Sequence, residues 1–145
     1  MTSSQAQLNV SVQATYLSAE RLWPIEQPIA GNIQVSSNLT VQSVTEESGK
    51  LKISFVFTTS YTPAIAVITI KGVAYVSGSQ ELLKDIYKGY LEKKPLPSLI
   101  IQAISNYSFV EATVLSRSIN IPPPVPLPSF QPTAEPKREK PSYIA

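Results

Sequence analysis

A chain of 145 residues, 43% apolar and only 15% charged, has the material for one core and a tail. With neither Cys nor His, it cannot build disulfides, thiolate metal sites, a cysteine nucleophile or a Ser-His pair. The net charge of +2 comes from Lys and Arg mixed with acids, which argues against an extended phosphate-binding field.

Leu8, Val10, Val12, Ala14 and Tyr16 alternate with polar residues, the two-residue period of a strand with one buried and one wet face. Leu22 to Gly31 breaks the pattern: Pro24 and Pro28 forbid a central ladder position, so this is a connector with an apolar cargo of Trp23, Ile25 and Ile29. Alternation resumes at Ile33, Val35, Leu39 and Val41 and slips phase near Ser43 and Val44, which predicts a bulge or a strand end. Glu46 to Lys50 is a turn cluster leading to Leu51, Ile53, Phe55 and Phe57, an antiparallel hairpin. After a turn at Tyr61 to Ala64, the run Ile65 to Val76 is apolar on both faces, the mark of a central or doubly covered strand. Gly72 inside it points to a bulge or a close backbone approach.

The period then lengthens. Leu82, Leu83, Ile86, Tyr87, Tyr90 and Leu91 lie at helical spacing, with Ser79 as N-cap and Lys93 and Lys94 suited to the negative end of the dipole. Pro95 and Pro97 break this helix. A second one runs from Ser98 to Ile119, with Pro97 in its first turn, Ser98 as a capping residue, and Ile100, Ala103, Tyr107, Val110 and Val114 as its buried face. Pro122, Pro123 and Pro124 stop it, and residues 122–130 read as a proline strap whose Val125, Leu127 and Phe130 dock on the fold. Residues 131–145 have the composition of a disordered tail. The fold class is α+β: a four-stranded antiparallel sheet with two C-terminal helices packed on one face.

This element order, with the apolar connector at Trp23 and Pro24 and the exit at Pro122 to Pro128, resembles the SecB-like fold of protein-export chaperones over Leu8 to Phe130. The string from Phe109 to Pro128 also resembles the C-terminal end of a group of small archaeal proteins. The resemblance implies a non-enzymatic chaperone that forms homo-oligomers and holds unfolded or partner chains in apolar grooves. It places Trp23, Ile25 and Ile29 at the border of such a groove. The bacterial chaperones are strongly acidic and their tail contacts a translocation motor; this chain is slightly basic and carries Lys137, Arg138 and Lys140 in its tail.

Each of these features has a second reading. Trp23, Ile25 and Ile29 either form a protein-binding surface or seal one end of the core. The PxxP spacing at Pro122 to Pro128 suits SH3-type domains as well as an internal strap. The tail lysines and arginine offer weak, salt-sensitive attraction to nucleic acid, but Glu135 and Glu139 offset them. Three sequons, at Asn9, Asn38 and Asn106, fall in expected strands and a helix. Glu111, alone in an apolar helix, is the one acid whose setting invites chemistry, and no second catalytic group accompanies it.

The expectation is therefore a cytoplasmic polypeptide-binding protein with no enzymatic activity and no cofactor or metal. Met1 to Gln7 show no secretory pattern, and no apolar run reaches the roughly 18 residues of a membrane span. Its binding residues are Trp23, Ile25, Ile29, Val125, Leu127 and Phe130. The rival reading is a structural subunit of a larger assembly, such as a ribosome or other ribonucleoprotein, with nucleic acid as a partner.

Overall fold

A computed structural model describes residues 8–29 and 31–124. Four strands, β1 (Asn9–Arg21), β2 (Gln34–Glu47), β3 (Lys50–Thr62) and β4 (Ala66–Ser77), precede two helices, α1 (Gln80–Leu91) and α2 (Ser98–Ser118). The sheet order is β1-β4-β3-β2, every neighbouring pair antiparallel. The two-faced fourth strand is central, as its apolar character requires. β1 and β2 are the two edges, so the connector between them crosses the whole end of the sheet.

One face of the sheet carries the core. Along β3, Leu51, Ile53, Phe55, Phe57, Thr59 and Tyr61 are buried while their alternating neighbours are not. Ile68, Ile70, Ala74 and Val76 of β4 join them, with Leu83 and Ile86 of α1 and Ile100, Ile104 and Ala112 of α2. Phe109 meets Phe57 edge-on, ring centroids 4.9 Å apart at 77°. Thr59, buried in this apolar layer, shares a 3.0 Å hydroxyl hydrogen bond with Ser37 of β2.

Both edge strands bulge. In β2 the register slips between Val41 and Ser43, where the phase change was expected, and Val44 returns to the buried face. In β1 the slip lies between Ala14 and Tyr16 and overturns one expectation. Thr15 is the extra residue, so Tyr16 moves to the outer face, is 48% exposed and stacks under the Lys71 ammonium at 4.8 Å. Ala14 donates its bulge N–H to Tyr107 Oη at 3.1 Å, so α2 satisfies a group that the ladder leaves free. Gly72 pairs with Ala14 at this point, and a Cβ there would collide with the Gln13 carbonyl and come within 2.8 Å of Phe55 Cζ.

The face of α2 also differs from the one its sequence suggests. Ile100, Ile104, Ser108, Ala112 and Ser116 are buried, whereas Val110 and Val114 are 63% and 56% exposed. The reason is proximity. Small residues in four-residue steps let the helix backbone lie close on the sheet, which valines there would prevent. Ser108 and Ser116 donate their hydroxyls to Ile104 O and Thr113 O, so burying them orphans no polar group.

The helix ends follow local rules. Ser79 caps α1 by accepting from Leu82 N at 3.2 Å, as expected. At α2 the N-cap is Pro97, Ser98 is already helical, and no side chain caps the start. Both C-termini close in the same way, with a left-handed residue, Lys93 (φ 64°) or Asn120 (φ 62°), and paired return bonds: Lys93 N to Tyr90 O and Lys94 N to Gly89 O, Asn120 N to Arg117 O and Ile121 N to Ser116 O. α2 is thus already turned at Asn120, before the prolines.

Candidate polypeptide-binding surface

Four segments meet where the connector crosses the sheet: the end of β1, the turn between β3 and β4, the C-terminus of α2 and the exit chain 121–124. Ile65, fully buried in the turn, accepts from Leu22 N at 2.8 Å and Trp23 N at 3.2 Å and pins the start of the connector. Trp23 Nε1 donates to Pro28 O at 3.4 Å, and Gln27 N to Pro24 O at 3.2 Å, so the connector folds on itself.

Arg21 ties these segments together. Its Nε donates to Trp23 O at 2.8 Å, and one terminal nitrogen donates to Ile119 O at 3.0 Å and Asn120 O at 2.7 Å. The last carbonyls of α2 carry the negative end of its dipole and lack helical partners, so a guanidinium is well suited to them. Sequence reasoning missed Arg21 because its partners lie about a hundred residues away. The strand period does not find it either: carried past Tyr16 it puts Arg21 on the outer face, and only the bulge at Thr15 brings Arg21 to the core side, opposite Ala66.

Tyr61 does the same for the exit chain, donating from Oη to Pro122 O at 2.6 Å. The residue is 3% exposed, and burial pushes its phenol up to about 12. Ile121 and Pro124 of the same exit chain are buried. The strap is therefore docked at its start, and Val125, Leu127 and Phe130 lie outside the described residues.

The three connector residues divide. Trp23 and Ile29 are half-buried against the core, so they seal the end of the sheet. Ile25 is 77% exposed, with Leu22 at 50% and Val35, the next apolar residue on β2, at 36%. Beyond Val35, the core-side residues of β2 stay partly open at Leu39 and Val41 until Val44 is covered. An apolar strip thus runs from the connector along the core side of an edge strand. A second apolar surface, Leu99, Val110 and Val114, stands on the outer side of α2.

Other chemistry is sparse. Among the described residues no three of Asp, Glu, His or Cys gather in a metal-binding group, and neither ion pair involves Glu111; they are Lys52–Glu47 at 3.7 Å and Lys94–Glu92 at 3.2 Å, both on the surface. No described helix is long and apolar enough to cross a membrane.

No family model matches the chain, and no curated protein sequence matches it. Among solved structures it is similar to the Mycobacterium tuberculosis Rv1957 SecB-like chaperone, determined in complex with a ChAD peptide from the Rv1956 HigA1 antitoxin, with a TM-score of 0.55 at 10% identity over 92% of this chain and 95% of that chain. At that identity the likeness concerns architecture, and it agrees with the sheet and two helices described above. The fold is SecB-like.

Proposed function

We propose that this protein is a chaperone-type polypeptide-binding protein that holds unfolded or partner chains on the apolar strip beside the connector, acting in the cytoplasm as a homo-oligomer. The observation that carries the reading is the exposure of Ile25, Leu22 and Val35 around one end of an edge strand, next to a core that has abundant other means of burial. The structural neighbour, solved with a peptide of another protein, supports it at the level of fold. Trp23 and Ile29 serve this surface by holding Ile25 out on a braced connector, and Arg21 fixes that connector to α2.

Chemically, such a surface is undemanding. An extended client offers apolar side chains at two-residue steps, and an edge strand whose core-side row is Val35, Ser37, Leu39 and Val41 receives them at three of its four positions without sequence specificity. The outer valines of α2 provide a separate surface for a second copy.

The test is suppression of aggregation of a chemically unfolded client by the purified protein, compared with Ile25→Asp. The wild type is expected to slow aggregation near stoichiometric amounts. Ile25→Asp, altering a 77% exposed side chain, should leave stability within about 0.5 kcal/mol and weaken holding several-fold. A wild type that leaves aggregation unchanged overturns the reading. The assembly-subunit alternative gains no specific support: the exposed Lys84, Lys88, Lys93 and Lys94 alternate with Glu81, Asp85 and Glu92, and Lys94 is paired with Glu92.

A further inference from the structure

The strip on β2 has one polar member. Its core-side row is Val35, Ser37, Leu39 and Val41, and each lies opposite a buried residue of β3: Tyr61, Thr59, Phe57 and Phe55 in turn. Ser37 is exposed, Thr59 is fully buried, and their hydroxyls share a 3.0 Å hydrogen bond. Among the described residues Ser37 is the sole hydrogen-bond partner of the Thr59 hydroxyl.

Two hydroxyls bring two protons to this one bond. With Ser37 as donor, the Thr59 proton would be left unpaired inside the apolar layer, at the full desolvation cost of a buried donor. With Thr59 as donor, its proton is satisfied and Ser37 keeps its own to direct at the open face. Burial selects the second arrangement. Ser37 Oγ therefore accepts from beneath and donates outward, a fixed polar point in an apolar row. In the free protein water meets that donor; under an extended chain the water is expelled, and only an acceptor on the client replaces it. We propose that Ser37 is a specificity-determining residue of the strip, which selects extended segments that place a hydroxyl or amide side chain opposite Ser37 and apolar side chains at the neighbouring two-residue steps. The proposal rests on the polypeptide-binding reading of the strip, and Thr59 enters it as the positioning residue that fixes the Ser37 proton.

Client side chains, rather than client main chain, make this contact. An extended chain lying on the core side of β2 points alternate side chains at the row beneath it, and its carbonyls are directed sideways. Opposite Val35 and Leu39 an apolar side chain is welcome; opposite Ser37 it would bury the donor unpaired. Threonine and valine share one shape, so a choice between them at this position isolates the hydroxyl. A hydrogen bond of ordinary net strength corresponds to a preference of about twofold to tenfold.

The test titrates the full chain with a fluorescein-labelled synthetic peptide carrying four valines at two-residue steps, separated by lysine and glutamate, and with the four peptides in which one valine is replaced by threonine. Threonine at one of the two middle positions is expected to tighten binding by about twofold to tenfold, and at the other positions to weaken it. The double variant Ser37→Ala with Thr59→Val removes both hydroxyls and orphans neither. It should bind the all-valine peptide at least as tightly as the wild type and disfavour threonine at every position. A wild type that disfavours threonine everywhere, a preference that survives in the double variant, or a double variant that no longer binds the all-valine peptide overturns the inference. Titration with an unfolded client separates this claim from the one beneath it. Client held without a threonine preference among the peptides overturns the inference alone; no binding of client or of any peptide overturns the polypeptide-binding reading, and the inference with it.

Discussion

Tyr61 sits under two constraints, burial in the apolar layer and the need of its phenol for an acceptor, and the Pro122 carbonyl at 2.6 Å meets the second. Tyr61→Phe keeps the ring and removes the bond; it is expected to cost about 1 kcal/mol in thermal or urea unfolding. The alkaline behaviour follows from the same geometry. The folded phenol keeps its proton up to about 12, whereas an unfolded tyrosine releases it near 10, so the unfolded chain holds fewer protons in between. Its contribution is full below pH 10 and declines as pH rises toward 12. Melting curves of wild type and Tyr61→Phe should converge over that interval, and a constant difference would refute the assignment. Gly72 is a second residue whose role is geometric: with the Gln13 carbonyl and the Phe55 ring against it, Gly72→Ala is expected to destabilise by about 1–3 kcal/mol, read from the urea midpoint.

α2 illustrates how an element reads differently in isolation and in place. Its apolar residues extend almost around the helix, and the side that meets the sheet is the one with Ser108, Ala112 and Ser116. Close approach is thereby exchanged for side-chain volume, and Val110 and Val114 are left outside. Ala112→Leu should force the helix off the sheet and cost about 1–3 kcal/mol, while Val110→Lys should alter monomer stability by less than about 0.5 kcal/mol. Equal losses for the two in chemical denaturation would mean that the helix is rotated from the face described. The connector behaves as an element too, because Arg21, Ile65 and Trp23 fix it at both backbone and side chain. Trp23→Ala, at a half-buried site, is expected to lower stability by about 2 kcal/mol, in contrast to the near-neutral Ile25→Asp.

At the scale of the molecule, one end of the sheet gathers the connector, the helix C-terminus and the exit chain, and the strip on β2 opens from it. The outer side of α2 is separate, so under the proposed function the two apolar surfaces would serve different partners: a client on the strip, a second copy on the helix. Light scattering is expected to report more than one chain for the wild type. Val110→Glu combined with Val114→Glu should lower that mass and leave client binding per chain in place. A wild type with the mass of one chain would remove the oligomer from the proposal and leave the strip untouched.

Strand number, the hairpin at Glu46 to Lys50, the bulge near Ser43, the cap at Ser79 and the order of elements were legible in the amino-acid sequence, because each depends on interactions among residues close along the chain. Three features were not. The bulge at Thr15 turns Tyr16 to the outer face, and the Ala14 N–H that it frees from the ladder is met by a tyrosine 93 residues away. The buried side of α2 depends on how near a sheet comes, which apolar periodicity does not encode. Arg21 and Tyr61 acquire their roles only when the end of the chain is brought beside β1 and β3. Local hydrogen bonding and hydrophobic period determined the elements; the distance between packed surfaces and the meeting of remote backbone groups determined which residues face the core, which brace the connector and which stay exposed.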